Sequence, residues 1–162
     1  VKLIATDLII AGTGHRPQKL GGFTRAVEDR LFNLAMHHLG NLAPTTVITG
    51  MALGWDTAIA EAAYCLDIPY RAYIPFVGQE SRWSAPAQKL YHNILKYAAE
   101  VVEVEEPGYA AWKMLSRDRR MVDDSHKMLA LWDGSESSGT GKTVEYALSR
   151  NKEVINLWSE YA

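Results

Sequence analysis

At 162 residues the chain has the length of one ordinary domain, and 48% hydrophobic with 22% charged residues is the make-up of a globular protein with a buried core. A net charge of −2 offers no overall attraction to nucleic acid or anionic membranes, and apolar runs broken by Gly, Pro or charge argue against a bilayer-spanning helix. Cys65 stands alone, which excludes an intrachain disulfide and a cysteine-built metal site.

Strand-like and helix-like patterns alternate along the chain. Asp7 to Ala11 reads as a first buried strand, running into the glycine loop Gly12-Thr13-Gly14-His15-Arg16-Pro17. Val27, Leu31, Leu34 and His38 recur at three and four residues and predict a helix from Phe23 to Leu39. Thr45 to Thr49 is a second strand, ending in Gly50-Met51-Ala52-Leu53-Gly54. A helix from Trp55 to Leu66 follows, with Ala58, Ile59, Ala62, Ala63 and Leu66 as its apolar stripe and Cys65 as a small core residue. Tyr70 to Ile74 is a third strand, and the loop Phe76 to Ser84 leads to a helix over Pro86 to Tyr97. Glu100 to Val104 is a fourth strand, followed by a helix from Tyr109 to Asp124. Lys127 to Trp132, a loop over Asp133 to Gly141, a helix over Lys142 to Ser149 and a strand over Glu153 to Trp158 complete the pattern.

Strands separated by helices pair in parallel through right-handed crossovers, and continuous apolar strands suit a sheet covered on both faces. The expectation is a Rossmann-like, doubly wound α/β fold: a mostly parallel sheet of about six strands with helices on both faces, forming one domain over residues 1–162. One lysine and a four-residue apolar patch at the start fall short of a secretory signal, so a cytoplasmic protein is expected.

Ligands of such sheets bind beyond the strand carboxyl ends, where three strands here run into glycine-rich segments that open helices. The first segment lacks the third glycine of the dinucleotide fingerprint, since Pro17 stands there. Arg16 suits a phosphate or carboxylate, or is a solvated loop arginine; His15 is a ligand contact or a loop brace. Asp56 reads as a helix cap or as an acceptor of ribose hydroxyls. Gly139-Thr140-Gly141-Lys142-Thr143 resembles the end of a P-loop, but Glu136 replaces the leading glycine, which argues against ATP hydrolysis. Gln79 and Glu80 can read a base edge or ribose, and Trp83 can stack on a base or anchor the core. The charges of Arg117 to Asp124 have the pattern of a solvated helix face. Adjacent His37 and His38 point about 100° apart on a helix and cannot share a metal. No metal or cofactor is expected.

The blocks Ile10 to Pro17, Thr49 to Asp56, Ile74 to Trp83, Arg119 to Asp123, and Leu131 to Gly134 with Ser138-Gly139-Thr140 and Thr143 together resemble the YpsA-like proteins of the SLOG superfamily. Relatives there include the LOG phosphoribohydrolases, also known as lysine-decarboxylase-like proteins, and the Rossmann-like domain of the DNA-processing protein DprA. The resemblance implies a homodimer-forming domain that binds nucleotides or nucleotide-derived signals of the ADP-ribose kind. Carried over by position, the ligand residues would be Gly12, Thr13, Gly14, His15, Arg16, Gly50, Met51, Gly54, Asp56, Gln79, Glu80, Trp83, Arg119, Asp133, Ser138, Gly139, Thr140 and Thr143. Hydrolytic LOG proteins carry Pro-Gly-Gly-x-Gly-Thr followed closely by glutamate. Here Ser137 and Ser138 precede Gly139 and Glu145 is out of register, which counts against catalysis and leaves binding intact.

Three functions follow, in order. The first is a sensor or sequestering protein for a nucleotide-derived small molecule. The second is an N-glycoside hydrolase acting on a nucleoside monophosphate, with Glu80 and Asp56 as its carboxylates. A DprA-like DNA-processing accessory ranks last, because no basic track is visible.

Overall fold

The computed structural model describes residues 6–162; residues 1–5, on which the reading against a signal sequence rests, lie outside the described residues. In chain order the elements are β1 (Ile9–Gly14), α1 (Pro17–Leu20), α2 (Arg25–Leu42), β2 (Thr46–Thr49), α3 (Trp55–Cys65), β3 (Tyr70–Ile74), α4 (Ala85–Tyr97), β4 (Glu100–Glu103), α5 (Ala111–Asp123), β5 (Lys127–Leu131), α6 (Gly139–Ser149), β6 (Glu153–Asn156) and α7 (Trp158–Tyr161). All strand pairings are parallel, in the order β4-β3-β2-β1-β5-β6. This is the Rossmann-like α/β arrangement. From β1, mid-sheet, the chain builds outward through β2 to β4, then crosses back to lay β5 on the other side of β1. Strand order reverses between β1 and β5, and a crevice opens beyond their carboxyl ends.

The period of two along the strands divides the core into two layers. Ile10, Val47 and Leu129 face one side, where they pack with Leu31 and Leu39 of α2 and with Trp55 and Ile59 of α3. Their neighbours Ala11, Ile48 and Met128 face the other, against Met121 and Val122 of α5 and Ala147 of α6. Helices therefore cover both faces. Among the described residues, no helix is long and apolar enough to cross a membrane.

Several boundaries depart from the sequence pattern, each for a local reason. The first strand begins at Ile9 and continues through Gly14, because Gly12, Thr13 and Gly14 pair with Leu129, Ala130 and Leu131 of β5. What reads as a glycine loop is thus mostly strand. The last major helix begins at Gly139 rather than Lys142, since the Ser138 hydroxyl accepts the Gly141 N–H at 2.9 Å and caps it there. Thr24 caps α2 in the same way, moving its start from Phe23 to Arg25, and its inner face carries Ala35 and Leu39 in place of Leu34 and His38. The helix expected from Tyr109 starts at Ala111. Two single-turn helices, α1 and α7, are too short to show a period, and α7 removes Trp158 from the sixth strand. Cys65 is exposed instead of buried, because it lies off the stripe of Ala58, Ile59, Ala62 and Ala63.

Candidate functional site

The reversal between β1 and β5 carries a cavity of about 450 Å³. Its floor is the end of β1, Gly12 to Arg16; Ala52 and Asp56 come from the β2–α3 region, and Gly139, Thr140 and Lys142 from the first turn of α6. From α5 come Ala111, Met114, Leu115, Arg117 and Asp118. The first-turn amides of a helix have no intrahelical partner, so those of Gly139 and Thr140 are available to an anion.

Glycines at this edge serve packing as much as ligand approach. A Cβ on Gly12 would lie 2.2 Å from Ile59 Cδ1, and one on Gly14 would lie 2.5 Å from the Trp55 ring. Helix α3 thus packs directly against β1, and Trp55 is held there by donating its indole N–H to the Leu129 carbonyl at 3.1 Å. Gly54 has φ +93°, a conformation that disfavours side chains, and it brings the α3 N-terminus against the His15 carbonyl.

Two buried titratable side chains, Asp56 and Arg117, line the cavity and feel each other's charge. The Asp56 side chain is not a helix cap, since Gly54 holds that position; its Oδ2 accepts the Ala52 N–H at 3.2 Å. Burial pushes the Asp56 carboxyl up to about 7, against the pull of the Arg117 guanidinium. Arg117, 4% exposed, donates to the Gly50 carbonyl and from Nε to Asp118 Oδ1 at 2.6 Å. Burial opposes its charge, yet Asp118 and Asp56 outweigh that and raise its pKa. A Cβ at Gly50 would meet this guanidinium at 3.0 Å, which accounts for glycine there.

His15 is buried, and burial lowers its pKa despite the neighbouring carboxylate of Asp133. Its Nε2 lies 3.0 Å from the Asp133 amide nitrogen and 2.9 Å from Oδ1, tying the end of β1 to the loop after β5. Hydrogen bonds from Ser135, with His15 alongside, hold the Asp133 carboxyl below the usual carboxylate range.

Of the residues singled out from sequence, Gly12, Thr13, Gly14, His15, Arg16, Asp56, Gly139 and Thr140 meet at this cavity. Others lie around it. Met51, at φ 62°, donates its N–H to Thr49 Oγ1, shaping the turn after β2. Thr143 donates to Asp118 Oδ2 at 3.1 Å from beneath, and Ser138 caps α6. Gln79 Nε2 reaches the Gly50 carbonyl at 3.4 Å and the Tyr91 hydroxyl at 3.2 Å. Glu80 sits 3.9 Å from His92 Nε2, and Trp83 packs edge-on against Tyr91; neither lines the cavity. Arg119 lies on the outer surface, with its guanidinium 5.4 Å from the centre of the Tyr146 ring. The arginine of α5 that lines the cavity is Arg117, which the mixed-charge reading passed over. Its spacing of four residues from the buried Met121 was the available signal.

A family model described as the YspA SLOG family, YpsA, matches residues 10–157. The chain belongs to this YpsA SLOG family. The matched span runs from β1 through β6, so the family segment contains every element that lines the cavity. In sequence the chain is 34% identical over 119 residues to the uncharacterized SPbeta prophage-derived protein YoqJ of Bacillus subtilis, covering 62% of this chain and 67% of YoqJ. In structure it resembles the DNA processing protein A (DprA) of Streptococcus pneumoniae, with TM-score 0.68 and 18% identity over 93% of this chain. It spans 50% of that DprA chain. It also resembles the molybdenum cofactor carrier protein of Chlamydomonas reinhardtii, with TM-score 0.59 and 16% identity, covering 93% of this chain and 76% of that one. At such identities these two structures speak for the fold alone.

Proposed function

We propose that the cavity at the β1–β5 reversal binds a nucleotide-derived small molecule, ADP-ribose-like or a nucleoside phosphate, and that the protein acts as its sensor or sequestering agent. The carrying observation is the mixed make-up of one cavity. Arg16, Lys19 and Lys142 supply positive charge beside the first-turn amides of α6, while Ala111, Met114 and Leu115 supply apolar surface. Phosphate and ribose suit the first set and a base suits the second. Titration calorimetry of the purified chain with AMP and ADP-ribose tests the reading. Binding of either is expected, weakened about tenfold or more by Arg16→Ala, as befits loss of a charged hydrogen bond. Absence of heat and of retained compound with both ligands would remove it.

A second reading, hydrolysis of an N-glycosidic bond, is favoured by one observation: Asp56, in the cavity, has a carboxyl that titrates near neutrality. Water would attack the ribose C1′ as the base departs with a proton. Glu80, its proposed companion, is turned toward His92 and does not line the cavity, so this reading leans on Asp56. Mass spectrometry of the incubated mixtures separates the two: intact ligand supports binding, and free base with ribose 5-phosphate, abolished by Asp56→Asn, supports hydrolysis.

A further inference from the structure

We infer that a second subsite adjoins the cavity and receives the far base of a two-base ligand, so that the molecule bound is of dinucleotide type. This rests on the nucleotide-binding reading and narrows its ligand class. A groove of about 520 Å³ runs beside the cavity, and its lining includes Arg16, Phe23, Leu53, Arg82 and Trp83. Arg16 and Gln18 line both spaces, so the two meet at one arginine. Each volume falls within the range of a single small-molecule site.

The groove's chemistry differs from the cavity's. None of its lining residues is acidic, whereas the cavity contains Asp56 and Asp118. Arg16 and Arg82 are exposed and enter no ion pair among the described residues. Phe23 is 63% exposed, although it precedes a helix whose inner face is fully packed. Trp83 is half-buried, and Tyr91 fixes its ring edge-to-face with centroids 5.3 Å apart. Aromatic faces beside free guanidinium groups accept a base and the phosphate attached to it. With Arg16 at the junction, the linking phosphates of a dinucleotide would pass from one space to the other.

The test is titration calorimetry of the full chain with AMP, diadenosine diphosphate and oligodeoxyadenylates of increasing length. Wild type is expected to bind diadenosine diphosphate about tenfold or more tighter than AMP, the gain of stacking one further base on an aromatic side chain. Phe23→Ala and Arg82→Ala alter exposed positions outside the cavity, and each should erase most of that gain while AMP affinity and melting temperature hold. AMP binding without a gain from the second base overturns the subsite and leaves the parent reading standing. Equal losses for both ligands in these variants overturn it too. Affinity that climbs steadily with oligonucleotide length overturns it in favour of single-stranded nucleic acid. Failure of every ligand to bind removes the parent reading and the subsite together.

Discussion

Asp56 and Arg117 show what burial does to a charge. Arg117 keeps its proton because two carboxylates and the Gly50 carbonyl surround it, whereas Asp56 has fewer partners and titrates near 7. A carboxyl whose folded pKa stands above its unfolded value favours folding most at low pH. That contribution is complete below about pH 4 and is lost as pH rises through about 7. Asp56→Asn should therefore gain stability relative to wild type between pH 5 and pH 8, as read from urea denaturation at both values. An ionised Asp56 also repels a phosphate in the cavity, so affinity for AMP should fall across the same interval, and Asp56→Asn should flatten the fall. Replacing Arg117 by Met leaves Asp118 without its ion-pair partner, an expected cost of about 3–5 kcal/mol read from urea denaturation. The same change should raise the Asp56 pKa further, which a carboxyl-carbon NMR titration reads directly. Sequence gave little hint of this pair. In the run Arg117, Asp118, Arg119, Arg120, successive side chains turn about 100° on the helix, so Arg117 faces inward while Arg119 faces solvent. Composition is blind to that rotation.

At the scale of elements, the alternating apolar pattern was enough to read six strands and their connecting helices. Val47 and Ile48, or Met128 and Leu129, announce strands buried on both sides through unbroken apolar runs. What stayed illegible was set by contacts distant in sequence. Gly12 and Gly14 look like a phosphate loop, yet they are paired strand residues whose missing side chains admit Ile59 and Trp55. Gly14→Ala would place a methyl group on the Trp55 ring and push α3 from β1. The expected cost is about 1–3 kcal/mol, measured by urea denaturation, with weakened ligand binding because Asp56 rides on the same helix.

For the molecule as a whole, strand order explains why the cavity stands where it does, and the resemblance of the motif blocks to YpsA-like proteins agreed with the family match. Cavity residues from β1, α3, α5 and α6 converge only because β5 returns to the centre of the sheet. Protection should follow the same geography. Central strands β1, β2 and β5 have almost wholly buried side chains, while the edge strands β4 and β6 expose theirs. Hydrogen exchange followed by mass spectrometry is expected to be slowest in the first group and fastest in the second.

The return of β5 to β1 also sets a timetable. A ribosome delivers β1 through β4 in the order in which they lie side by side, so each new strand finds its neighbour already made. The α6 amides, and the seam that brings them to β1, arrive only after that half is complete. A nascent chain therefore acquires its pocket only once α6 has docked beside β1. Any molecule held there bridges the early and late halves and stabilises their union by mass action, so occupancy reports that the two have docked.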